Sequence, residues 1–231
     1  MVNGARQFLL LFNQYMRVEF ISSERILSAL LFACTLLVMF VFASEPGEPA
    51  AVQGFYISQS LLTAMFALQI SFARALEPDT QDGVFDQLRV LSVNRSAWFW
   101  AKYCTVVTTG LLILLPTILL AAFFQMDAHV ELLTLDMLVI DICALLGLAA
   151  LGVLLSTLML SSGTKQILYP ILYFPLTTPV LISAVEANRM TLMDGLSLID
   201  LLNSWLGLLI IFDIIYLTAG LFLFGELVGS D

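Results

Sequence analysis

Six long apolar runs constrain this chain more than any other feature of its sequence. The predicted membrane helices are Ile26–Ala43, Gln53–Arg74, Ala101–Phe124, Leu132–Leu160, Ile167–Ala187 and Leu198–Phe224. Each run is near or above the about 20 residues that a helix needs to cross a bilayer. Of the 231 residues, 60% are hydrophobic and only 12% are charged. The sequence therefore predicts an all-α membrane protein in which residues 1–231 form a single transmembrane domain.

The distribution of Lys and Arg predicts how these helices are oriented. With alternating crossings, eight of the nine basic residues fall on one side, namely Arg6, Arg17, Arg25, Arg74, Arg89, Arg95, Lys102 and Lys165. Only Arg189 falls on the other side. Because cytoplasmic loops are enriched in Lys and Arg, we predict that both termini are cytoplasmic.

The segment before the first run predicts an amphipathic helix within residues 1–25. One face carries Phe8, Leu9, Phe12, Tyr15 and Met16, and the opposite face carries Arg6, Asn13, Gln14 and Arg17. Such a helix lies in the membrane interface, here on the inner leaflet. A plain cytoplasmic extension is the alternative.

Several residues within the runs are interpreted as structural. Trp98, Trp100 and Tyr103 are predicted to form an aromatic belt at the cytoplasmic interface. The three cysteines, Cys34, Cys104 and Cys143, are interpreted as small buried hydrophobic residues. Gly152 and Ser156, four residues apart on one helix, predict a close approach by another helix.

The acidic residues within the runs receive two interpretations. Leu132–Leu160 is too long for a straight crossing, so its first turns, with Asp136 and Asp141, are expected in the outer interface. Asp213 lies near the centre of the last run. A mid-membrane acid is costly and should face the bundle interior or water. Structural hydrogen bonding and a place on a transport path both remain open for Asp213.

The sequence carries none of the common catalytic or nucleotide-binding motifs that we sought. Neither Gly-x-Ser-x-Gly nor Gly-x-x-x-x-Gly-Lys-Ser/Thr occurs. The sequence also lacks the basic footprint that nucleic-acid binding needs, since it contains only nine Lys and Arg. The single histidine, His129, follows Met126 by three residues and is either a haem-iron ligand or a solvated side chain. The chain is therefore predicted not to be an enzyme, although an intramembrane enzyme is a further alternative.

A polar stretch between the second and third runs, "LEPDTQDGVFDQLRVLSVNRS", predicts a short amphipathic helix in a cytoplasmic loop over residues 75–100. Asp82 is suited to cap this helix, and Asp79 adds negative charge near its positive end. Val84, Leu88 and Leu91 follow at helical spacing. The helix is either an interfacial loop or a docking helix for a cytoplasmic subunit. The expected docking residues are Asp79, Asp82, Gly83, Phe85, Asp86, Gln87, Leu88 and Leu91.

Three prolines, Pro170, Pro175 and Pro179, fall within the fifth run. Each removes a backbone donor, so it kinks or breaks a helix, and the freed carbonyls need partners in a bilayer. Tyr169, Thr177 and Thr178 are candidate partners. Because broken helices often line transport paths, the expected path residues are Pro170, Pro175, Thr177, Thr178, Pro179 and Asp213. A merely kinked structural helix is the alternative.

Two motifs resemble those of the haem exporter protein B family (CcmB), and the resemblance extends over essentially the whole chain. The first comprises Asp79, Asp82, Gly83, Asp86, Gln87 and Leu88, and the second comprises Pro175, Leu176, Thr177 and Pro179. The chain departs from the family pattern where Ala73 precedes Arg74, a position that usually holds an acid, and where "LSVNRS" lacks prolines.

The resemblance implies a permease subunit of an ABC transporter in the bacterial inner membrane, with an ABC-2-like bundle. In that family two permeases pair with two ATP-binding subunits (CcmA). With CcmC and CcmD they use ATP to release the haem-loaded chaperone CcmE during cytochrome c maturation. ATP is then bound by the partner, and haem is a candidate cargo of the complex. The alternatives are an ABC-2-type permease for another substrate and a non-transporting membrane scaffold.

Overall fold

The computed structural model describes residues 4–21, 23–43, 49–73, 94–125, 133–158 and 165–229. The regular elements in these ranges are helices: α1 (Gly4–Ile21), α2 (Glu24–Ala43), α3 (Pro49–Phe72), α4 (Arg95–Phe124), α5 (Leu135–Leu158), α6 (Lys165–Asp194), α7 (Leu198–Leu201) and α8 (Trp205–Gly229). Six of them, α2 to α6 and α8, are long and apolar enough to cross a membrane. The predicted all-α architecture with six spans is confirmed.

Helix α4 begins six residues before the predicted Ala101, at Arg95. Asn94 has an extended backbone, and its side-chain oxygen accepts a hydrogen bond from the Ser96 N–H at 3.0 Å. This is an N-cap, which satisfies one of the donors left unpaired at a helix start. Polar Arg95 and Ser96 hide the start of α4 from an analysis based on hydropathy.

The connection between the last two spans also differs from the prediction. Helix α6 continues past Ala187 to Asp194, where Gly195 adopts φ 68° and the Leu196 N–H donates to the Met190 carbonyl at 3.2 Å. Glycine adopts this left-handed conformation without steric cost. The single turn α7 follows, and the last span begins at Trp205 rather than Leu198.

Asp200 holds the chain at the start of α7. One of its carboxylate oxygens accepts hydrogen bonds from the Ser197 hydroxyl at 2.7 Å and from the Ser197 N–H at 3.2 Å. Both bonds favour the ionised form, so they lower the pKa of Asp200, the hydroxyl most strongly.

Helix α5 is the central helix of the bundle. It packs against α3, α4, α6 and α8, most extensively against α8, and nearly every residue from Ala144 to Thr157 is buried. The close approach predicted at Gly152 and Ser156 is confirmed. The Phe72 side chain lies 3.0 Å from the position that a Gly152 Cβ would take, and the Ser156 hydroxyl donates to the Phe72 carbonyl at 3.0 Å.

Asp141 is buried inside the bundle, whereas its expected depth in the outer interface stays a prediction. Asp141 lies six residues inside α5, about 9 Å along the axis at 1.5 Å per residue, and only 4% of its surface is exposed. Within the described residues, helix α5 spans the 24 residues Leu135–Leu158. Asp136, in the first turn, is half-buried.

Candidate functional site

The predicted docking helix lies outside the described residues, which end at Ala73 and resume at Asn94. The docking role of Asp79, Asp82, Gly83, Phe85, Asp86, Gln87, Leu88 and Leu91 therefore stays a prediction. His129 and Met126 also lie outside the described ranges. The residues at the C-terminal end of this loop, where the chain enters α4, are described from Asn94 onward.

Helix α1 is fastened to the first turns of α4. The Trp98 indole N–H donates to the Tyr15 hydroxyl at 2.7 Å, and the Lys102 ammonium lies 4.1 Å from the centroid of the Tyr15 ring. The Asn94 backbone N–H donates to the Gln7 side-chain oxygen at 3.1 Å. Trp98, Tyr15 and Lys102 are all buried. We call Tyr15, Trp98 and Lys102 the α1 anchor. It adjoins the end of the loop that carries the predicted docking helix.

The α1 anchor corrects the expectation for Trp98. Trp98 is only 1% exposed, so it is a core residue rather than part of an aromatic belt facing lipid, while Trp100 is 37% exposed. A buried indole N–H needs a hydrogen-bond acceptor, and Tyr15 supplies it from 83 residues away. On α1, Phe8, Leu11 and Phe12 also pack against the core, while Leu9 is 61% exposed. The position of α1 in the membrane interface stays a prediction.

Helix α6 runs through Pro170, Pro175 and Pro179 as one continuous helix, so the expectation of a broken helix is wrong. The prolines fall at intervals of five and four residues, and the helical bonds around them persist. Thr177 and Thr178 do not serve the carbonyls that the prolines free, which belong to residues four positions earlier. Both hydroxyls donate instead to the Phe174 carbonyl, at 3.0 and 2.9 Å.

Five of the six residues expected on a transport path belong to α6, and they do not share one face of this helix. Pro175 and Thr178 lie on its exposed face, while Thr177 is fully buried and its hydroxyl lies 3.6 Å from the Met65 sulfur of α3. Pro170 and Pro179 are half-buried. The face of α6 directed at α3 and α5 is therefore the one that contains buried polar groups.

A line of buried polar side chains follows the contact between α3, α5 and α6, and we call it the polar seam. Its members are Tyr56, Gln59 and Thr63 of α3, Asp141 and Ser156 of α5, and Tyr169, Tyr173 and Asn188 of α6. Each is at most 7% exposed. In a bilayer, buried polar groups are expensive unless they are paired, so such a line marks a candidate functional site.

Many polar atoms of the seam have no hydrogen-bond partner among the described residues. They are the hydroxyl oxygens of Tyr56, Thr63, Tyr169 and Tyr173, both side-chain amide atoms of Gln59, and the Asn188 side-chain oxygen. Two direct contacts organise the seam: Asn188 Nδ2 donates to Asp141 Oδ1 at 2.7 Å, and the Tyr169 and Tyr173 rings stack with centroids 5.4 Å apart. Native proteins leave few buried polar groups unpaired, so this density suits a site that binds water, protons or a polar ligand.

Sequence reasoning missed the seam, although one signal for it exists. Tyr56, Gln59 and Thr63 are spaced i, i+3 and i+7 in a helix without charged residues from Val52 to Phe72. This spacing places them on one helical face, and polar side chains on one face of a membrane helix point to the bundle interior. Asp141 is predicted at the outer interface, and Asn188 falls beyond the predicted end of its span at Ala187.

Asp213 faces α5 rather than lipid, as a mid-membrane acid should. Its Oδ1 atom overlaps the position that a Cβ on Gly147 would occupy, so the carboxyl group packs directly against this glycine. This oxygen has no hydrogen-bond partner among the described residues. Tyr103, Cys143 and Tyr216 lie close enough to interact electrostatically with the carboxyl group. Asp213 therefore sits in a second polar site, between α5 and α8.

The described residues contain no cluster of three or more His, Cys, Asp or Glu side chains that could hold a metal ion. Cys34, Cys104 and Cys143 are free thiols and half-buried, so they are less deeply buried than the sequence suggested. Within the described ranges, the chemistry of the site therefore rests on carboxyl, amide and hydroxyl groups.

Six apolar spans, with a line of polar groups buried between them, define a multi-pass α-helical membrane protein. The sequence profile of the CcmB protein family matches residues 6–228, nearly the whole chain. The chain belongs to this family, whose members are membrane permease components with a role in haem export and cytochrome c maturation. No curated protein matches the chain with significant similarity. The family match confirms the resemblance carried by the motifs at Asp79–Leu88 and Pro175–Pro179.

Proposed function

We propose that this protein is the permease subunit of an ABC transporter complex for cytochrome c maturation. The family match over residues 6–228 carries the proposal. A chain with six spans and no recognisable phosphate-binding loop needs a separate subunit to bind and hydrolyse ATP. The expected partners are a CcmA-like ATPase, CcmC-like and CcmD-like membrane subunits, a CcmE-like haem chaperone and a second copy of this chain.

The ATPase is proposed to dock on the loop between α3 and α4. This loop leaves α3 after Phe72 and returns at Asn94, beside the α1 anchor. Force applied to the loop would therefore reach α4 and α1 together. The excess of Lys and Arg on this side of the topology supports a cytoplasmic position, with both termini inside and the chain in the bacterial inner membrane.

The coupled change is proposed to be a shift in the packing of α3, α5 and α6. The polar seam lies along this contact, and Thr177 is the member of the expected path that faces it. Asp213 belongs to the neighbouring contact between α5 and α8. ATP acts on the partner subunit, and haem or the haem-loaded chaperone is the cargo that the complex releases.

Leu88→Glu is expected to lower co-purification of the ATPase subunit by at least about tenfold. Removing a buried leucine contact costs about 1.5–3 kcal/mol, and each 1.4 kcal/mol corresponds to about tenfold in affinity. Val90→Glu is the matched control, because position 90 lies on the opposite face of the predicted helix from Leu88. The measurement is the ratio of ATPase subunit to permease in complexes purified from membranes.

Equal binding by the two variants would contradict docking through the apolar face of this helix. Charge reversal at Asp79 and Asp82 provides an independent arm, and unchanged binding and ATPase activity there would exclude their role. A non-transporting scaffold is separated by reconstitution. A scaffold would hold the chaperone equally with and without ATP, whereas the proposed complex releases the haem-loaded chaperone only when ATP is hydrolysed.

A further inference from the structure

Asp141 is the most deeply buried acid among the described residues, and its surroundings are neutral. It is 4% exposed and accepts one short hydrogen bond, from Asn188 Nδ2 at 2.7 Å. Tyr56 of α3, itself 1% exposed, lies near enough to interact electrostatically with the carboxyl group. The carboxyl group thus has one polar neighbour on each of two adjacent helices, Asn188 on α6 and Tyr56 on α3.

No cation in the described part of the chain is placed to neutralise Asp141. Helix α3 from Val52 to Phe72 and helix α4 from Thr105 to Phe124 contain no charged residue. On α6, Arg189 is exposed and pairs with Glu186 at 2.9 Å. On α8, Asp213 packs against Gly147, six residues further along α5. On α5 itself the nearby titratable groups are Asp136 and Cys143.

The neighbouring side chains can satisfy Asp141 in either protonation state. A neutral carboxyl group donates one hydrogen bond and accepts others, whereas a carboxylate only accepts, and a tyrosine hydroxyl can do both. Tyr56 OH, Gln59 Oε1 and Nε2, and Thr63 Oγ1 are buried and have no partner among the described residues. They follow one another along a single face of α3 toward the middle of the span.

We propose that Asp141 binds an exchangeable proton in a site formed with Tyr56 and Asn188, and that Gln59 and Thr63 extend this site along α3. An isolated carboxylate in an apolar interior is strongly disfavoured and takes up a proton unless a cation compensates it. The site joins three helices, because Asp141 lies on α5, Asn188 on α6 and Tyr56 on α3. Protonation then favours close packing of the seam, and loss of the proton draws water between the helices.

Infrared spectroscopy of the full-length protein in lipid nanodiscs tests the proposal without any partner subunit. A protonated carboxyl group gives a C=O stretching band that ionised carboxylates lack and that shifts on exchange into deuterated water. At neutral pH we expect such a band in the wild type, its reduction in Asp141→Asn and its retention in Asp136→Asn, a control five residues earlier on α5. Asp213→Asn identifies any contribution from the second buried acid.

Variants that leave the carboxyl group in place guard against a folding defect in Asp141→Asn. Asn188→Ala removes the hydrogen bond that Asp141 accepts, so the band should move to higher frequency, and Asp141→Glu should restore a band. Three results would overturn the proposal: a band unaffected by every substitution at Asp141 and Asn188, no protonated band in the wild type at neutral pH, or loss of the band on adding sodium at constant pH. The last result would show a metal cation in place of the proton. Because no ATPase is present, these results are independent of the docking experiment.

Discussion

Gly147→Ala is expected to lower the free energy of unfolding by about 1–3 kcal/mol, the usual cost of an overpacked site. The new Cβ would overlap Asp213 Oδ1 and stand 3.0 Å from Asp213 Cγ. The carboxyl group would have to turn away from α5, which disturbs the contact between α5 and α8, the most extensive helix contact of the bundle. The measurement is the thermal unfolding midpoint of the purified protein in detergent.

Gly54→Ala is the matched control for this substitution. No described heavy atom lies within 4 Å of the position that its Cβ would take, and alanine is favoured over glycine in a helix by about 1 kcal/mol. We therefore expect an unchanged or slightly raised midpoint. Equal destabilisation by Gly147→Ala and Gly54→Ala would contradict the close packing described here.

The double variant Gly147→Ala/Asp213→Ala separates the steric cause from other effects. Once the Asp213 carboxyl group is removed, the Cα atom of residue 213 lies 3.7 Å from the new Cβ. This is an ordinary van der Waals distance. The double variant should therefore unfold close to the Asp213→Ala protein, a clear departure from additivity. It also provides a folded protein in which a role of Asp213 in transport can be measured.

Hydropathy predicts the spans well because lipid solvates apolar side chains along whole helices. Their ends depend on single local interactions. The start of α4 is set by the Asn94 cap, and the end of α6 by Gly195. Asn is suited to a helix N-cap and Gly to a left-handed helix end. Both residues lie among other polar residues that could also begin or end a helix, so the sequence alone does not select them.

The candidate site was less predictable because its pairs are distant in sequence. The position of Trp98 in the sequence is typical of an aromatic belt. Its burial depends on contacts with Tyr15 and Phe224, which are distant in sequence. Asp141 and Asn188 are 47 residues apart and meet only when α5 packs on α6. The local effect of the three prolines predicts a broken helix. In the bundle α6 is continuous, and it packs against α3, α5 and α8.

Trp98→Ala is expected to lower the free energy of unfolding by about 3–5 kcal/mol, the usual cost of truncating a buried large aromatic side chain. Trp98 packs edge-on against Phe224 of α8, with ring centroids 5.4 Å apart, and donates to Tyr15 of α1. Its loss should loosen α1 from α4 while the six spans remain. The measurements are the thermal midpoint and the rate at which protease cleaves within α1.

Trp100→Ala is the control, because Trp100 lies two residues away on the same helix and is 37% exposed. It should change both measurements little. Tyr15→Phe should fall between the two, since the ring under Lys102 remains but the buried indole loses its acceptor, at a cost of about 1–3 kcal/mol. Equal effects of Trp98→Ala and Trp100→Ala would exclude the α1 anchor.

The same variants test how force from the proposed ATPase enters the bundle. The docking loop returns at Asn94, which binds Gln7 of α1 and lies four residues before Trp98. If the loop alone holds the ATPase and the α1 anchor transmits its motion, Trp98→Ala should keep ATPase co-purification but lose ATP-dependent release of the chaperone. Loss of both would instead make α1 part of the docking surface, and loss of neither would confine transmission to the loop and α4.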